Sequence, residues 1–292
     1  MIRVGLAIDT LDWHARALLR EFRRRDIDVV PFRLVDAVFD TTHRHGIAVP
    51  GFGAGLPGAV LVRSISSGSF EAVTRRLGVL HALRELGVTV WNDARAIERC
   101  VDKSTTSFFL AQADIATPPT WTVEGREAAV ALAELECPAG PLVLKPLFGS
   151  QGSGLRLIGG AEDLPPPETV GGVYYLQRYI PTGTRLFRDH RLFVCAGTVV
   201  AAMTREAETW VTNVRLGARP VAFAPPPTLA ELAVRAAGCV GAHYAGVDLL
   251  VDRDLRPWVL EVNSMPGWKG LQRVTPCSIA GHIVAGLLAG LR

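Results

Sequence analysis

A hairpin near the end of the sequence carries three side chains with oxygen atoms that could bind a metal ion. Two short apolar segments flank a polar turn and are predicted to pair as strands, residues 246–251 and 258–263. Glu261 and Asn263 share a strand face, and pairing Val251 with Trp258 would place Asp248 opposite Glu261. Facing carboxylates need neutralising, and oxygen donors without His or Cys favour Mg²⁺. The alternative is an exposed hairpin face whose charges are screened by solvent.

A lysine followed by a glycine-rich loop forms a second candidate site. Lys145 ends the apolar strand 142–145, and the loop that follows contains Gly149, Ser150, Gln151 and Gly152. Glycines let backbone N–H groups close over an anion, and the lysine supplies a point charge. The lysine precedes the glycines and no helix follows them, so this is not a Walker A loop. The less favoured alternative, for the loop on its own, is a flexible hairpin tip.

Lysine is rare in this sequence, so each of its positions is informative. Of 31 basic residues only Lys103, Lys145 and Lys269 are lysines. A chain that otherwise uses arginine could keep lysine where a compact, flexible ammonium is needed, although genomic base bias and chance explain the pattern as well. Lys103 follows Asp102 at a predicted helix start, where the helix dipole disfavours a cation. Either a nearby anion or simple solvation would account for it.

Three further segments could contribute polar groups. The strand 174–180 has a backbone edge that could pair with an adenine ring, although any buried strand looks similar. Asp189 and Arg191 are two residues apart, as are Asn213 and Arg215, so each pair could lie on one strand face. These positions predict either arginines over a phosphate or structural ion pairs.

The elements that must position these residues follow two patterns. Up to about residue 92, strands alternate with helices, which predicts a small, mostly parallel α/β layer with strands at 4–8, 27–32, 59–62 and 88–91 and helices at 13–25 and about 70–86. No G-x-G-x-x-G follows the first strand, so a dinucleotide site is not expected there. The later part is predicted to contain helices at 102–113, 125–136 and 229–242, strands and hairpins from 142 to 204, the final hairpin and a last apolar helix.

Composition limits the class of protein. The chain has 292 residues, 49% of them hydrophobic and 20% charged, with a formal net charge of +3, which suits two or three packed subdomains. The basic triplet 23–25 is predicted to be a solvated helix end, so nucleic acid is not an expected partner. The five cysteines are far apart, no signal-peptide core is present, and the apolar run 283–291 is too short to cross a bilayer. These features predict a cytoplasmic protein without a membrane partner.

Taken together, the motifs resemble those of the RimK-like ATP-grasp ligases. They occur in the order Lys103, Lys145 with its glycine loop, Gln-x-Tyr-Ile (177–180), Asp-x-Arg (189–191), Thr-Asn (212–213), Gly-Val-Asp (246–248) and Glu-Val-Asn-Ser-Met-Pro-Gly (261–267). The resemblance covers roughly residues 95–292. Residues 62–71, 210–213 and 216–218 look most like the tetrahydromethanopterin glutamate-ligase branch.

The resemblance implies a fold and its division. The fold class would be α/β and α+β, an ATP-grasp fold preceded by a Rossmann-like (pre-ATP-grasp) domain. The N-terminal domain would span residues 1–94 and the ATP-grasp domain 95–292. Within the latter, about 95–180 would form the central lid subdomain and about 181–292 the metal-binding subdomain.

The resemblance also implies roles for individual residues. ATP would be bound by Lys103, Lys145, Gly149, Ser150, Gln151, Gly152, Gln177, Arg178, Tyr179, Ile180, Asp189 and Asn213, with the lysines on phosphates, 177–180 around adenine and Asp189 near the ribose. Mg²⁺, or Mn²⁺ in its place, would be bound by Asp248, Glu261 and Asn263. The catalytic residues would be Lys145, Arg191 and Arg215.

Two positions depart from the family pattern. Arg178 stands where many relatives have Glu, which would shift adenine contacts to the backbone. Val211 stands where some relatives have arginine, which leaves Arg191, Arg205 or Arg215 to cover the phosphate or substrate.

The implied activity is an ADP-forming ligation of L-glutamate, or a similar amino acid, to a carboxylate acceptor through an acyl phosphate. The acceptor would be a small molecule such as a pterin coenzyme, and the enzyme a homodimer or homotetramer. Lys269 is predicted either to reach the acceptor or to be a solvated loop lysine. The alternatives are an ATP-binding interaction module without ligase activity, a ligase acting on a protein C-terminus or on an amino-acid biosynthetic carrier, and phosphoryl transfer without amide formation.

Overall fold

Parallel strands form the first layer of the computed structural model, which describes residues 2–149, 152, 154–182 and 186–291. The elements of this layer are β1 (Arg3–Ala7), α1 (Trp13–Arg23), β2 (Asp28–Phe32), β3 (Val38–Phe39), β4 (Ile47–Ala48), β5 (Ala59–Val62), α2 (Phe70–Glu85) and β6 (Thr89–Trp91). The sheet order is β2-β1-β5-β6, and its strands are parallel. The chain goes from β1 to β2 on one side and later returns to β5 on the other. The carboxyl ends of β1 and β5 therefore border the kind of crevice where open α/β sheets bind ligands.

Two consecutive helices, α3 (Ala94–Val101) and α4 (Lys103–Gln112), lead out of this layer. The side chain of Asp93 caps α3 by accepting from the Ala96 N–H. Asp102 caps α4 by accepting from the N–H groups of the two residues after Lys103. Cys100 of α3 and Leu110 of α4 pack in the core of the C-terminal sheet, whereas Ala94 and Ile97 of α3 pack in the core of the first layer, so α3 bridges the two.

A small antiparallel sheet carries the glycine loop. Its elements are β7 (Thr120–Glu124), α5 (Arg126–Glu136), β8 (Leu142–Lys145), β9 (Arg156–Ile158) and β10 (Val173–Arg178). The strand order is β7-β10-β8-β9, and α5 buries its alanines against one face. The glycine loop joins the adjacent strands β8 and β9, so it lies at one edge of this sheet.

A five-stranded antiparallel sheet forms the third layer. Its elements are β11 (Phe187–Cys195), β12 (Thr198–Ala207), β13 (Arg219–Ala222), α6 (Pro227–Cys239), β14 (Tyr244–Val251), β15 (Pro257–Asn263), α7 (Lys269–Gln272) and α8 (Ile279–Ala289), with strand order β13-β12-β11-β14-β15. One core joins the first layer to this one, because Leu18 and Phe22 of α1 share it with Ile283 and Leu287 of α8. Among the described residues, no helix is both long and apolar enough to span a bilayer.

The hairpin of β14 and β15 differs in register from the sequence-based prediction near its turn. Val251 lies opposite Pro257 rather than Trp258, and Leu250 lies opposite Trp258. The ladder shifts by one residue between Asp248 and Leu249, and beyond that irregularity Asp248 lies opposite Glu261. An extra residue on one strand changes the pairing in this way. The predicted pairing of the two carboxylates therefore holds, although the predicted pairing at the turn was wrong.

The mixed α/β and α+β architecture agrees with the predicted fold class. The proposed division at residues 94 and 180 remains a proposal. Helices α3 and α4 lie within the predicted lid segment, but α4 packs on the third layer, α3 packs on both the first and the third, and the small sheet begins only at Thr120.

Candidate functional site

The predicted site residues that the structure describes line one cavity of about 640 Å³ between the three layers. They include all three predicted metal ligands, both lysines of the predicted ATP site and residues 177–180. Nine basic and four acidic side chains line the cavity, which favours anionic ligands. Ser150 and Gln151, predicted to bind ATP, lie outside the described residues.

The carboxylate of Asp248 is buried and held by two arginines. Arg191 binds it through two parallel hydrogen bonds, Nε to Oδ1 at 2.7 Å and Nη2 to Oδ2 at 2.6 Å. Arg205 Nη2 lies 3.0 Å from the same Oδ2. Burial alone would disfavour the ionised carboxylate, but the two guanidinium charges outweigh it and hold the pKa of Asp248 below its ordinary value. Asp248 is therefore charged, and each of its oxygens already accepts a hydrogen bond.

Arg205 links this carboxylate to Asp189. Its Nε donates to Asp189 Oδ1 at 2.6 Å, and its Nη2 donates to the other oxygen of Asp189. Burial opposes the charge on Arg205, but the two carboxylates raise the pKa of Arg205. Asp189, predicted to lie near the ribose, lines the cavity but has its carboxylate in this ion pair. Of the two alternatives for the Asp-x-Arg segment, the structure shows ion pairs.

Glu261 presents the other carboxylate of the hairpin. It forms no hydrogen bond or ion pair with any residue that the structure describes, in contrast to Asp248 across the ladder. Its charge acts on both nearby lysines, favouring the protonated forms of Lys103 and Lys145. Asn263, two residues further on the same strand, is half-buried, and its amide makes only a 3.5 Å contact with the Gly246 carbonyl. Glu261 and Asn263 are thus available to a ligand.

Lys145 lies at the end of β8 with its ammonium buried in the cavity wall. Its Nζ donates to Gln177 Oε1 at 2.6 Å, across the pairing of β8 with β10. Burial lowers the pKa of Lys145 to about 8, with Lys103 adding to this effect and Glu261 opposing it. An anion placed beside Lys145 would stabilise its charge.

Lys103 contacts the glycine loop. Its Nζ donates to the carbonyl oxygens of Leu147 at 3.2 Å and Gly149 at 2.9 Å. Burial lowers the pKa of Lys103, and Glu261 opposes that shift. The Lys103 ammonium therefore donates to backbone carbonyls of the loop, and it lies close enough to Glu261 for the carboxylate charge to affect its pKa.

Residues 177–180 form the wall next to Lys145. The Arg178 guanidinium binds Glu136 Oε2 at 2.7 Å and lies over the Trp121 ring, with its carbon 5.5 Å from the ring centroid. Its charge is therefore already paired at the edge of the cavity, and adenine recognition through backbone groups at this segment stays a prediction. The Ile180 N–H, two residues beyond the end of β10, has no hydrogen bond among the described residues.

Two segments meet at the glycine loop. Gly152 has φ +74°, and a Cβ there would lie 3.1 Å from Val211 Cγ1 and 3.3 Å from Asn213 Cβ, so the approach and the backbone both favour glycine. The Asn213 side chain accepts from the Arg215 N–H at 3.0 Å. Arg215 is exposed at the cavity wall. The predicted ATP-binding role of Asn213 and catalytic role of Arg215 remain predictions.

Among the polar side chains of the cavity to which the sequence-based prediction assigned no role are Asp12, His14 and Arg63, and the buried ion pairs of Arg205 were not predicted either. Arg205 was named only as one of three candidates to cover a phosphate. Its pairing could be found only from the register of β11 with β12, which places Asp189 opposite Arg205. The other three belong to the first layer, far away in sequence from the motifs.

The donor set of the hairpin suits a hard divalent cation. Among the described residues no group of three or more His, Cys, Asp and Glu side chains could hold a metal, so a site must draw on Asn263 with the two carboxylates. The free Glu261 carboxylate supplies two oxygens, and a carboxylate such as that of Asp248 can accept about four interactions, which leaves room beside the arginines. These residues therefore fit Mg²⁺ with a ligand contributing further oxygens.

Comparison with known proteins identifies the family. The model of the RimK-like ATP-grasp domain matches residues 100–287. The chain is 28% identical to the tetrahydromethanopterin:alpha-L-glutamate ligase of Methanococcus maripaludis over 97% of both chains. It is 33% identical to the enzyme of that name from Methanocaldococcus jannaschii, over 69% of this chain and 70% of that one.

A solved structure supports the fold. The ATP-grasp ligase PsnB, in complex with minimal precursor, Mg and ADP, superposes with a TM-score of 0.75 at 22% identity, covering 100% of this chain and 97% of that one. The predicted ATP-grasp fold and the predicted class of enzyme, a ligase forming carbon–nitrogen bonds, are confirmed. The chain belongs to the RimK-like ATP-grasp family.

Proposed function

We propose that this protein is an ATP-dependent, ADP-forming ligase that joins L-glutamate, or a similar amino acid, to a small carboxylate acceptor. One observation carries the proposal: Glu261, a carboxylate with no partner within the described part of the chain, lies opposite Asp248 and close to Lys103 and Lys145 in one cavity. Acid oxygens and ammonium groups around one space suit a nucleotide polyphosphate with its cation. The names of the relatives from the two methanogens favour glutamate as the amino acid.

The chemistry requires no nucleophile from the protein. An oxygen of the acceptor carboxylate attacks the γ-phosphorus of ATP, the bond to the bridging oxygen breaks, and ADP leaves. The nitrogen of the amino acid then attacks the acyl carbon of the acyl phosphate, phosphate leaves, and the nitrogen loses a proton to form the amide. Catalysis would come from positioning and from charge neutralisation.

Particular residues are proposed to do this work. Lys145 and Lys103 bind phosphate oxygens, and for Lys103 this means exchanging two loop carbonyls for the nucleotide. Arg191 lies against Asp248 beside the reacting groups and stabilises negative charge there. Asp248, Glu261 and Asn263 would hold Mg²⁺, which supplies Lewis-acid stabilisation of phosphoryl oxygens when bound.

The glycine loop is proposed to shield the acyl phosphate from water. It lies between Lys103, which contacts its carbonyls, and Val211, against which Gly152 packs. Exclusion of water matters because an acyl phosphate hydrolyses when solvent reaches it. Residues 178–180 would face the adenine, chiefly through backbone groups because the Arg178 side chain is paired with Glu136.

The acceptor is proposed to be a small molecule, with a pterin coenzyme as the first candidate because tetrahydromethanopterin appears in the names of the similar enzymes. A relative from Saccharolobus solfataricus, 28% identical over 69% of this chain, is named alpha-aminoadipate--LysW ligase LysX. A carrier protein or a protein C-terminus is therefore the second candidate. We place the enzyme in the cytoplasm, where ATP is supplied and its five free cysteines would stay reduced.

The test is a ligation assay with purified protein, ATP, MgCl₂ and L-glutamate, to which candidate acceptors and a small-molecule cell extract are added. ADP release that needs both acceptor and glutamate, with a product heavier by one glutamyl residue in mass spectrometry, supports the proposal. ADP release with a phosphorylated product and no amide would replace it with phosphoryl transfer. Nucleotide binding with no turnover on any acceptor would replace it with an ATP-binding module.

A further inference from the structure

Arg63 is a buried cation whose charge is poorly compensated by the protein. It follows directly after β5, and its residue exposure is only 9%. Its Nε is buried and has no hydrogen-bond partner among the described residues. Its terminal nitrogens lie 3.5 Å from the Met265 carbonyl and 3.7 Å from a carboxylate oxygen of Asp12. Burying a guanidinium with such long contacts is costly unless a ligand completes its pairing.

The other arginines that face this cavity show the contrast. Arg191 binds Asp248 at 2.6 Å, and Arg178 binds Glu136 at 2.7 Å. The carboxylate nearest to Arg63 belongs to Asp12, whose side chain is 41% exposed. The Asp12 carboxylate also caps α1 and accepts from His14, so it is committed to other groups. Arg63 is thus a lining cation with free capacity for an anion.

The position of Arg63 in the fold is one where a ligand is expected. Arg63 continues β5, and Asp12 follows β1, so both lie at the carboxyl ends of the two strands where the chain order reverses. In open α/β sheets ligands bind in the crevice at this point. The guanidinium also lies over the Trp268 ring, with its carbon 5.2 Å from the centroid. Contact through the flat face leaves the N–H edge available to a carboxylate.

Arg63 lies near the proposed reaction centre, separated from it by residues 265 and 266. Its Nη1 approaches the Met265 carbonyl, and the next residue, Pro266, packs on Gly246, where a Cβ would lie 2.9 Å from the proline. Arg191 Nε lies 3.6 Å from the same Cβ position. A molecule bound to Arg63 would therefore lie in the same cavity as the Arg191 and Asp248 pair.

We propose that Arg63 binds a carboxylate of a substrate of the ligation, one that is not consumed in the reaction. The inference rests on the proposed ligase function and adds a requirement to it, since at least one substrate must carry a spare carboxylate. Two substrates could supply it, the amino acid or the acceptor. The substrate carboxylate would accept two parallel hydrogen bonds from the Arg63 guanidinium, in place of its long contacts with the protein, because the N–H groups of a guanidinium match the two oxygens of a carboxylate.

The experiment measures binding by calorimetry, with ADP and MgCl₂ present and without turnover. The probe for the amino acid is L-glutamate, and the probe for an acceptor is N-acetyl-L-glutamate, which has two carboxylates and no free amine. Arg63→Met is expected to weaken one of them about 10- to 150-fold, the range for losing a charge-assisted hydrogen-bonded pair. Arg63→Lys keeps the charge without the fork and should recover part of the loss.

Two further measurements separate binding from structural damage. If L-glutamate is the affected probe, two analogues identify which of its carboxylates binds Arg63. L-glutamine has an amide in place of the side-chain carboxylate, and L-isoglutamine has an amide in place of the α-carboxylate. The analogue that lacks the carboxylate bound by Arg63 should bind wild type and Arg63→Met equally. Thermal unfolding of the ligand-free Arg63→Met variant should occur at or above the wild-type temperature, because a poorly paired buried charge is removed. Arg16→Met is the matched control, since Arg16 is exposed on α1 and does not line the cavity.

The outcomes are distinct for the two proposals. Weaker binding of L-glutamate alone assigns the carboxylate to the amino acid, and weaker binding of N-acetyl-L-glutamate alone assigns it to the acceptor. Equal affinities in wild type and Arg63→Met, or no binding of either probe to wild type, overturn the inference about Arg63. Arg63-dependent binding without any amide product would retain the subsite while rejecting the ligase function.

Discussion

Replacing Arg205 by methionine should strongly destabilise the protein, because the change leaves two buried carboxylates without their shared partner. Arg205 and Asp248 are each 4% exposed, and Asp189 is 5% exposed. Removing one partner from such a buried pair costs about 3–5 kcal/mol of the free energy of unfolding, since the remaining charge stays desolvated. The prediction for Arg205→Met is a loss in that range.

The magnitude can be checked by urea unfolding followed through tryptophan fluorescence. Asp189→Asn should also destabilise, and the double variant should lose about 1–3 kcal/mol less than the sum of the two single losses, since both remove the same pair. Arg219→Met provides an exposed control, because Arg219 Nη2 also pairs with a carboxylate, 2.6 Å from Glu206 Oε2, but its side chain is 74% exposed. That exposed pair should contribute no measurable stability.

The reasoning would be refuted by a loss of less than about 1 kcal/mol in Arg205→Met, at the level expected for a surface pair. An additive double variant would show instead that Asp189 and Arg205 act independently, contrary to the two hydrogen bonds between them.

Three further predictions concern activity. Glu261→Gln should reduce kcat about 100- to 1,000-fold with the fold retained, as judged by circular dichroism, and near-normal turnover at saturating MgCl₂ would contradict its proposed metal role. Burial lowers the pKa of Lys145 to about 8 in the free enzyme, and ATP should bind its protonated form. The value of kcat/KM for ATP should therefore fall as pH rises above about 8. A flat profile up to about pH 9.5 would argue against phosphate binding by Lys145. Lys103→Met should weaken ATP binding in calorimetry about tenfold or more, and unchanged affinity would leave Lys103 as a contact of the loop alone.

The secondary structure was largely readable from the sequence because its apolar patterns are regular. The strand at 59–62 was predicted with the observed bounds, and α2 was predicted from apolar residues at three- and four-residue spacing. That spacing did not predict burial along the whole helix, since Phe70 is 83% exposed while Leu80 and Leu83 are fully buried. Helix α3 was missed because its buried positions are mostly alanine and cysteine, which give a weak apolar signal.

The candidate site shows a sharper limit. Neighbours on one strand, such as Glu261 and Asn263, follow from alternation, and the pairing of Asp248 with Glu261 was reached although the turn was misplaced by one residue. The pair of Arg205 with Asp189 depends on a register shift between Phe193 and Val194 in the β11–β12 hairpin, and the pair of Arg191 with Asp248 joins β11 to β14, which is distant along the chain. Register between such strands is fixed by tertiary packing, which a single sequence does not display.

The packing of α8 against α1 has a consequence for synthesis of the chain. Leu18 and Phe22 lie in the same core as Ile283 and Leu287, so this face of the first layer stays uncovered until α8 has been synthesised. Domains usually fold as units while the chain emerges, the N-terminal one first. Here the first ninety or so residues can form their sheet early, but this apolar surface stays open to chaperones until α8 has emerged and packs against it.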